Sequence, residues 1–401
     1  MGTDREIIST ARPHVGVRPW MAWVLGLALM VAATGCGTTS IAKSRPPRQP
    51  TAAVHPPVAV GSIRRIAFID SSSGWMAFTP PGAPSTIEIA YTGNGGTTWT
   101  RTTRFQVVSP GGWTWVPLGR RTLLVVVSSP LGTGSLHRVL TTTDRGQAWK
   151  AAQFYRTVGP GYVVAAKTGS STACALVASE PSLGGVAASL YCGRVGGQWH
   201  QVTTRFGSAP GGFLPGLFPN GLTMVGRQAW ITGQNVSSGP DIFYASNDTG
   251  RSFQAGSAAL PPNTNADTWP VVVTPGAAPA LPVIAYVPSG AAFVLYHQNS
   301  HGAWQATTPV TTHASPLPPG ALLYSAASTQ ILFVRGQHTL YATTNGGTTS
   351  TPVYHSTAGW SAMQFTSATQ GWAVAGPATL LHTGDGGRTW TTVRFRVFRH
   401  R

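Results

Sequence analysis

Carboxylates are the scarce reagent in this chain, with 10 Asp and Glu against 27 Lys and Arg in 401 residues. Past residue 35 eight remain: Asp70, Glu88, Asp144, Glu180, Asp241, Asp248, Asp267 and Asp385. Two carboxyls flanking one bond would suffice for glycoside hydrolysis, one as acid and the other as base or nucleophile. Asp144, Asp248 and Asp385 instead recur in one frame, Ser/Thr-x-Asp-x-Gly with a Trp or Phe three residues after the Gly. An acid so placed accepts bonds from backbone N–H groups of a tight turn, so these three are expected to serve turns. Glu180 sits in a Pro-containing hairpin and Asp70 at a strand end, which leaves no convincing pair for catalysis. His297 and His301 are four apart, a spacing that suits a metal pair, but they fall in a turn and no third ligand lies near. Gly-x-Ser-x-Gly and Gly-Lys-Ser/Thr are absent. The reading is no catalytic residue, no metal and no cofactor.

The elements that position these residues follow from the same frame, which occurs seven times. Its third position is Asn94, Asp144, Arg194, Asp248, Asn299, Asn345 and Asp385, at intervals of 50, 50, 54, 51, 46 and 40 residues. A period in this range signals a repeat architecture. Trp99, Trp149, Trp199, Phe253, Trp304 and Trp390 close the frame, while Ser350 stands in that place after Asn345. The copies at Arg194 and Asn299 are worn. Glycines such as Gly96, Gly146, Gly250 and Gly387 supply positive φ at little steric cost, and the closing aromatic begins the next strand, where it can be buried between sheets.

Upstream of the last turn the sequence reads as three strands, Ser361 to Phe365, Gly371 to Val374 and Ala378 to His382, with Trp390 to Phe395 as a fourth. The first repeat copies that order in Ile66 to Ile69, Gly74 to Phe78, Ile87 to Tyr91 and Trp99 to Phe105. Short alternating strands with Gly, Pro and Asn punctuation indicate an all-β chain. Seven four-stranded antiparallel units predict a seven-bladed β-propeller. Both end repeats look complete, which withholds the usual clue to ring closure.

The pattern resembles the Asp-box, or bacterial neuraminidase repeat, proteins over about 335 residues, from Ser62 to Phe398. The doublet of Phe365 with Gly371-Trp372-Ala373 and Thr383 to Trp390, and of Phe68 with Gly74-Trp75-Met76 and Thr92 to Trp99, is most similar to the photosystem II stability and assembly factor family. That resemblance implies a scaffold or assembly aid. The middle repeats depart from it, with Ala229-Trp230 standing for Gly-Trp in the fourth. Sialidases share the box and bring an Arg cluster plus a Phe/Tyr-Arg-Ile-Pro entry. Arg64-Arg65-Ile66-Ala67 lies in that place without the Pro or the preceding aromatic.

Residues 1–35 read as an export signal: Arg5, Arg12 and Arg18 precede an uncharged apolar run from Trp20 to Gly35. Sixteen residues fall short of the roughly 20 that a membrane span needs. Ala33-Thr34-Gly35-Cys36 resembles a lipobox, which implies lipid on Cys36 and anchoring to the cell membrane from its outer side. Residues 36–61 form a Pro-rich tether, and residues 62–401 the propeller. Cys174 and Cys192 flank the turn Glu180 to Gly184. A hairpin centred near 182.5 pairs positions summing to about 365, so the two cysteines face each other and a disulfide is expected.

Removing residues 1–35 takes away three arginines and two acids, leaving 24 basic and 8 acidic residues and a formal charge of +16. Such an excess attracts an anionic surface or a negative protein partner. Export and the absence of Arg-interleaved aromatics argue against nucleic acid. The tail Arg394 to Arg401 alternates base with apolar residue, either as a final strand with one buried face or as a contact to an anionic surface. The expectation is a monomeric extracytoplasmic lipoprotein that binds an unidentified protein or surface partner. The alternative is a carbohydrate-active or carbohydrate-binding propeller.

Overall fold

The computed structural model describes residues 56–107, 112–131, 134–158, 162–179, 185–203, 205–206, 213–235, 242–257, 271–273, 283–286, 292–298, 304–306, 310–311, 323–328, 331–335, 338–345 and 349–399. The chain divides into units 1–53 and 54–401, and everything described belongs to the second. Its elements are β-strands, as the alternating pattern requires.

Among the described residues the strands form seven sheets, each carrying four consecutive antiparallel strands. The first sheet holds Ser62–Phe68, Gly74–Thr79, Thr86–Thr92 and Thr98–Gln106. The seventh holds Trp360–Phe365, Gly371–Ala375, Thr379–Thr383 and Thr391–Val393. These match the expected strands to within a residue except at two: the first of the first sheet begins four residues early, at Ser62, and the fourth of the seventh stops at Val393.

Hydrophobic clusters lie between successive sheets. Trp75, Ala77, Ile87 and Ile89 of the first pack on Trp113, Leu123 and Val125 of the second. Equivalent layers join the second to the third, the third to the fourth, the sixth to the seventh and the seventh to the first. The first strand of the fifth sheet, Val271–Val273, contacts the first strands of both the fourth and the sixth.

One packing device explains the Phe and Gly-Trp doublet. Phe68 pairs across strands with Gly74, and a Cβ on Gly74 would stand 2.7 Å from the Phe68 ring. The glycine therefore leaves room for the ring, which stacks on Trp372 of the seventh sheet at 3.9 Å between centroids. Phe365 does the same over Gly371 and stacks on Phe333 of the sixth sheet at 3.5 Å. A polar side chain of the preceding sheet fixes each Phe backbone: the Gln364 amide bonds Phe68 N–H and C=O, and Ser325 Oγ accepts from Phe365 N–H.

The first and seventh sheets meet through the tail, which forms a final strand with Val397 on its buried face, as its alternation predicts. After Val393 the chain leaves its own sheet, and Arg396–Arg399 pairs in parallel with Thr98–Gln106 as a fifth strand of the first sheet. Val397, which lies opposite Trp99, is buried. Arg205–Phe206 makes the same parallel contact with the last strand of the fourth sheet, setting Phe206 against Phe253. The boundary at residue 61 also moves. Val58 N–H bonds the Val397 carbonyl at 2.6 Å and Val60 packs on the same cluster, so the end of the Pro-rich stretch belongs to the folded unit.

Candidate functional site

The recurring acids are held in turns by a repeated set of bonds. In the seventh sheet, Thr383 Oγ1 donates to Asp385 Oδ1 and accepts from Gly387 N–H, while Asp385 accepts from the N–H groups of Arg388 and Thr389 and from the Thr389 hydroxyl. The Thr389 hydroxyl and N–H lead in holding the Asp385 carboxyl down at about 2. Burial acts to raise Asp248, but the Ser252 hydroxyl and N–H outweigh it and leave that carboxyl at about 2 as well. Asp144 is lowered chiefly by the Ala148 N–H. Asn94 and Asn345 fill the same place, accepting from the N–H groups of Thr98 and Thr349 and donating to their hydroxyls.

The closing aromatics complete the turns. Trp99 and Phe253 are fully buried and Trp199 nearly so, with Trp149 and Trp390 partly exposed. The indole N–H groups of Trp99 and Trp390 donate back to the carbonyls of Gly96 and Gly387. Five of the turns are tied to the first turn of their own sheet by a backbone bond, from Gly95 to Ser72, Arg145 to Arg121, Val195 to Ser171, Thr249 to Arg227 and Gly386 to Thr369. Both sets of turns thus lie at one end of the sheets.

The worn copy at Arg194 differs in kind. Cys192 replaces the hydroxyl residue and pairs across strands with Cys174, Cα to Cα 4.1 Å, in a disulfide. The cross-strand arithmetic therefore holds. Asn299 lies outside the described residues, and Trp304 begins the strand Trp304–Ala306. His297 belongs to the strand Ala292–Gln298 and not to a turn, and His301 is outside the described residues. Cys36, Glu180, Asp241 and Asp267 also lie outside them.

Other carboxylates and arginines are engaged between strands and sheets. Asp70 accepts from Ser72 and Ser73 N–H and pairs with Arg120 at 2.6 Å. Glu88 is buried and pairs with Arg101 at 2.9 Å through Oε1, while Oε2 is buried without a partner among the described residues. Arg65 lies 4.6 Å over the Trp113 ring and donates to Thr114 Oγ1, bridging the first two sheets. Burial lowers its pKa. It is thereby a packing cation and not a free clamp for a substrate carboxylate. Arg335 repeats the arrangement 4.6 Å over Trp360, donates to the Ala358 carbonyl and is pushed down to about 10 by burial. These Arg over Trp pairs were not legible in the sequence, because each joins residues from different sheets.

A cleft of about 510 Å³ opens where the two chain ends meet. Its walls include Val58, Val60, Val393 and Val397, with Arg394 and Arg396 among them and no carboxylate. Arg394 and Arg396 are exposed. The alternation of the tail was the legible signal for this site; the walls supplied by Val58 and Val60 were not. Apolar walls with guanidinium groups can bind an anionic partner with an apolar portion.

No family model matches the sequence, and neither does any curated protein. Among solved structures, the chain is similar to the YCF48 protein bound to a D1 peptide, at 15% identity over 82% of this chain and 93% of that one, TM-score 0.48. An uncharacterised protein of Listeria monocytogenes, lmo1340, gives 6% identity over 85% and 96%, TM-score 0.50. Prolyl oligopeptidase B of Galerina marginata, bound to a 35mer substrate, gives 10% identity over 84% of this chain and 50% of that one, TM-score 0.52. At such identities the likeness bears on fold alone.

Proposed function

We propose that this chain is a seven-bladed β-propeller with Asp-box turns, exported and held at the cell membrane by lipid on Cys36, that binds a protein partner as a scaffold or assembly factor and catalyses nothing. The sequential sheets and the parallel strand joining the last to the first support the ring. Residues 1–35 are the export signal in this reading, and the tether runs from Cys36 to about residue 56.

The observation that carries the functional half is the use to which the carboxylates are put. Of those described, Asp70, Asp144, Asp248 and Asp385 each hold a turn, and Glu88 is buried against Arg101. Acids bound in separate turns cannot flank one substrate bond. What such a scaffold does present is loops, and loops on a rigid frame are where binding residues gather.

Crosslinking in intact cells, followed by identification of what co-purifies, tests the proposal. A specific protein of the cell envelope is the expected product. Release of sugar from a fluorogenic glycoside by the purified protein, with no stable protein crosslink, would overturn it in favour of the carbohydrate-active reading.

A further inference from the structure

Exposed arginines gather around the seam cleft. Arg394 and Arg396 line it, and Arg399 ends the same tail strand. Arg64 follows Ile63, whose N–H bonds the carbonyl of Pro377, next to Ala378 in the cleft wall. All four side chains are exposed, and among the described residues no carboxylate pairs with them. The carboxylates of the first and seventh sheets are already bound: Asp70 to Arg120, Glu88 to Arg101 and Asp385 to its own turn. Among the described residues the seam is thus cationic with no counter-charge of its own, and it has an apolar wall.

The second observation is where the chain enters. Pro57, Val58 and Val60 form part of the cleft, and the 55 residues before Pro56 join the folded unit at this point. They carry Lys43, Arg45 and Arg48. With lipid on Cys36, a tether of about 20 residues keeps the seam within roughly 60 Å of the bilayer. Four cations near an anionic leaflet give on their own a contact on the order of millimolar. A short tether supplies an effective concentration in the same range, so the contact becomes populated only because the chain is anchored.

We propose that the seam cleft is the membrane-facing surface of the folded unit. The guanidinium groups of Arg64, Arg394, Arg396 and Arg399 take the phosphate oxygens of anionic phospholipid headgroups, and the half-buried Val58, Val60 and Val393 lie against the glycerol and upper acyl region. Docking by the seam turns the loop-bearing end of the sheets to one side of the bilayer normal and leaves it open to a partner. The inference rests on the anchored reading above, and the test separates the two.

Full-length protein is reconstituted into vesicles of phosphatidylcholine alone or with about 30% phosphatidylglycerol, and hydrogen exchange is followed by mass spectrometry. Exchange of the peptide spanning residues 391–399 is expected to slow about fivefold or more on the mixed vesicles only. The slowing should vanish in Arg394→Gln/Arg396→Gln, whose unchanged melting temperature shows that it folds. Equal exchange on both vesicles, or equal slowing in the variant, overturns the proposal. Slowing by soluble polyglutamate but not by vesicles overturns it in favour of an acidic polypeptide. The mass of the N-terminal peptide reports the lipid independently: an unlipidated chain overturns the anchored reading on which the proposal rests, and a lipidated chain left unprotected on mixed vesicles overturns the seam site while keeping the anchor.

Discussion

Asp385 is a hub for one turn, taking bonds from Arg388, Thr389 and Thr383 on two oxygens. Its carboxyl is held at about 2 in the folded chain against an ordinary 3.8. The unfolded chain then binds the proton more readily, so the contribution to stability is complete above pH 4 and is lost as pH falls toward 2. Asp248 and Asp70, also at about 2, act in the same window. Urea midpoints at pH 6, 3 and 2 should fall in that order. Asp385→Asn keeps an acceptor for the Thr389 N–H, as Asn94 and Asn345 do for Thr98 and Thr349, so it should cost less than removal of the side chain at pH 7 and should flatten its share of the acid loss. Asp385→Ala should cost about 1–2 kcal/mol, as loss of a side-chain acceptor for orphan N–H groups does.

The residue after the acid is a second point of strain. Gly95 and Gly386 adopt positive φ there, but Arg145 and Thr249 do so without being glycine, at 66° and 65°. A β-branched residue in the left-handed region is disfavoured by about 1–2 kcal/mol, part of which glycine returns through its looser unfolded chain. Thr249→Gly is therefore expected to stabilise by up to about 1 kcal/mol, read as a raised melting temperature. The acid, hydroxyl and aromatic positions were legible because each acts within eight residues. Positive φ at the fourth position was legible where Gly95 and Gly386 occupy it; that Arg145 and Thr249 adopt it without being glycine is visible only from the backbone.

At the scale of the element, the third sheet shows how a worn turn is replaced. Thr92, Thr142, Ser246, Thr343 and Thr383 each place a hydroxyl where the third strand enters its turn, and Cys192 occupies that place bound to Cys174. A covalent staple stands where a polar network has gone. With 18 residues between its ends, the disulfide should contribute about 3 kcal/mol, so urea unfolding with and without reductant should differ by that amount. Gly371 offers a second element-scale test. A Cβ there would meet the Phe365 ring at 2.6 Å, and Gly371→Ala should cost about 1–3 kcal/mol by overpacking. The sequence showed the Phe and Gly-Trp doublet but not its cause, because the glycine faces a ring from the adjacent strand.

At the scale of the molecule, closure is the part that sequence could not reveal. Arg396–Arg399 pairs with residues nearly three hundred positions earlier, and parallel pairing leaves no hairpin signal. The order of the sheets was legible from the intervals between turns. The valine and arginine cleft was not, since it is made by both chain ends at once. Val397→Asp places an unpaired charge among Ile66, Phe68, Trp99 and Val374, and should cost at least about 3 kcal/mol, seen as a lowered melting temperature and faster exchange at Thr98–Gln106. An experimental density map of the folded unit tests the ring most directly. Seven sheets, with Arg396 beside Thr98 and Val397 beside Trp99, are the expected result; six or eight sheets, or a tail strand paired elsewhere, would contradict it.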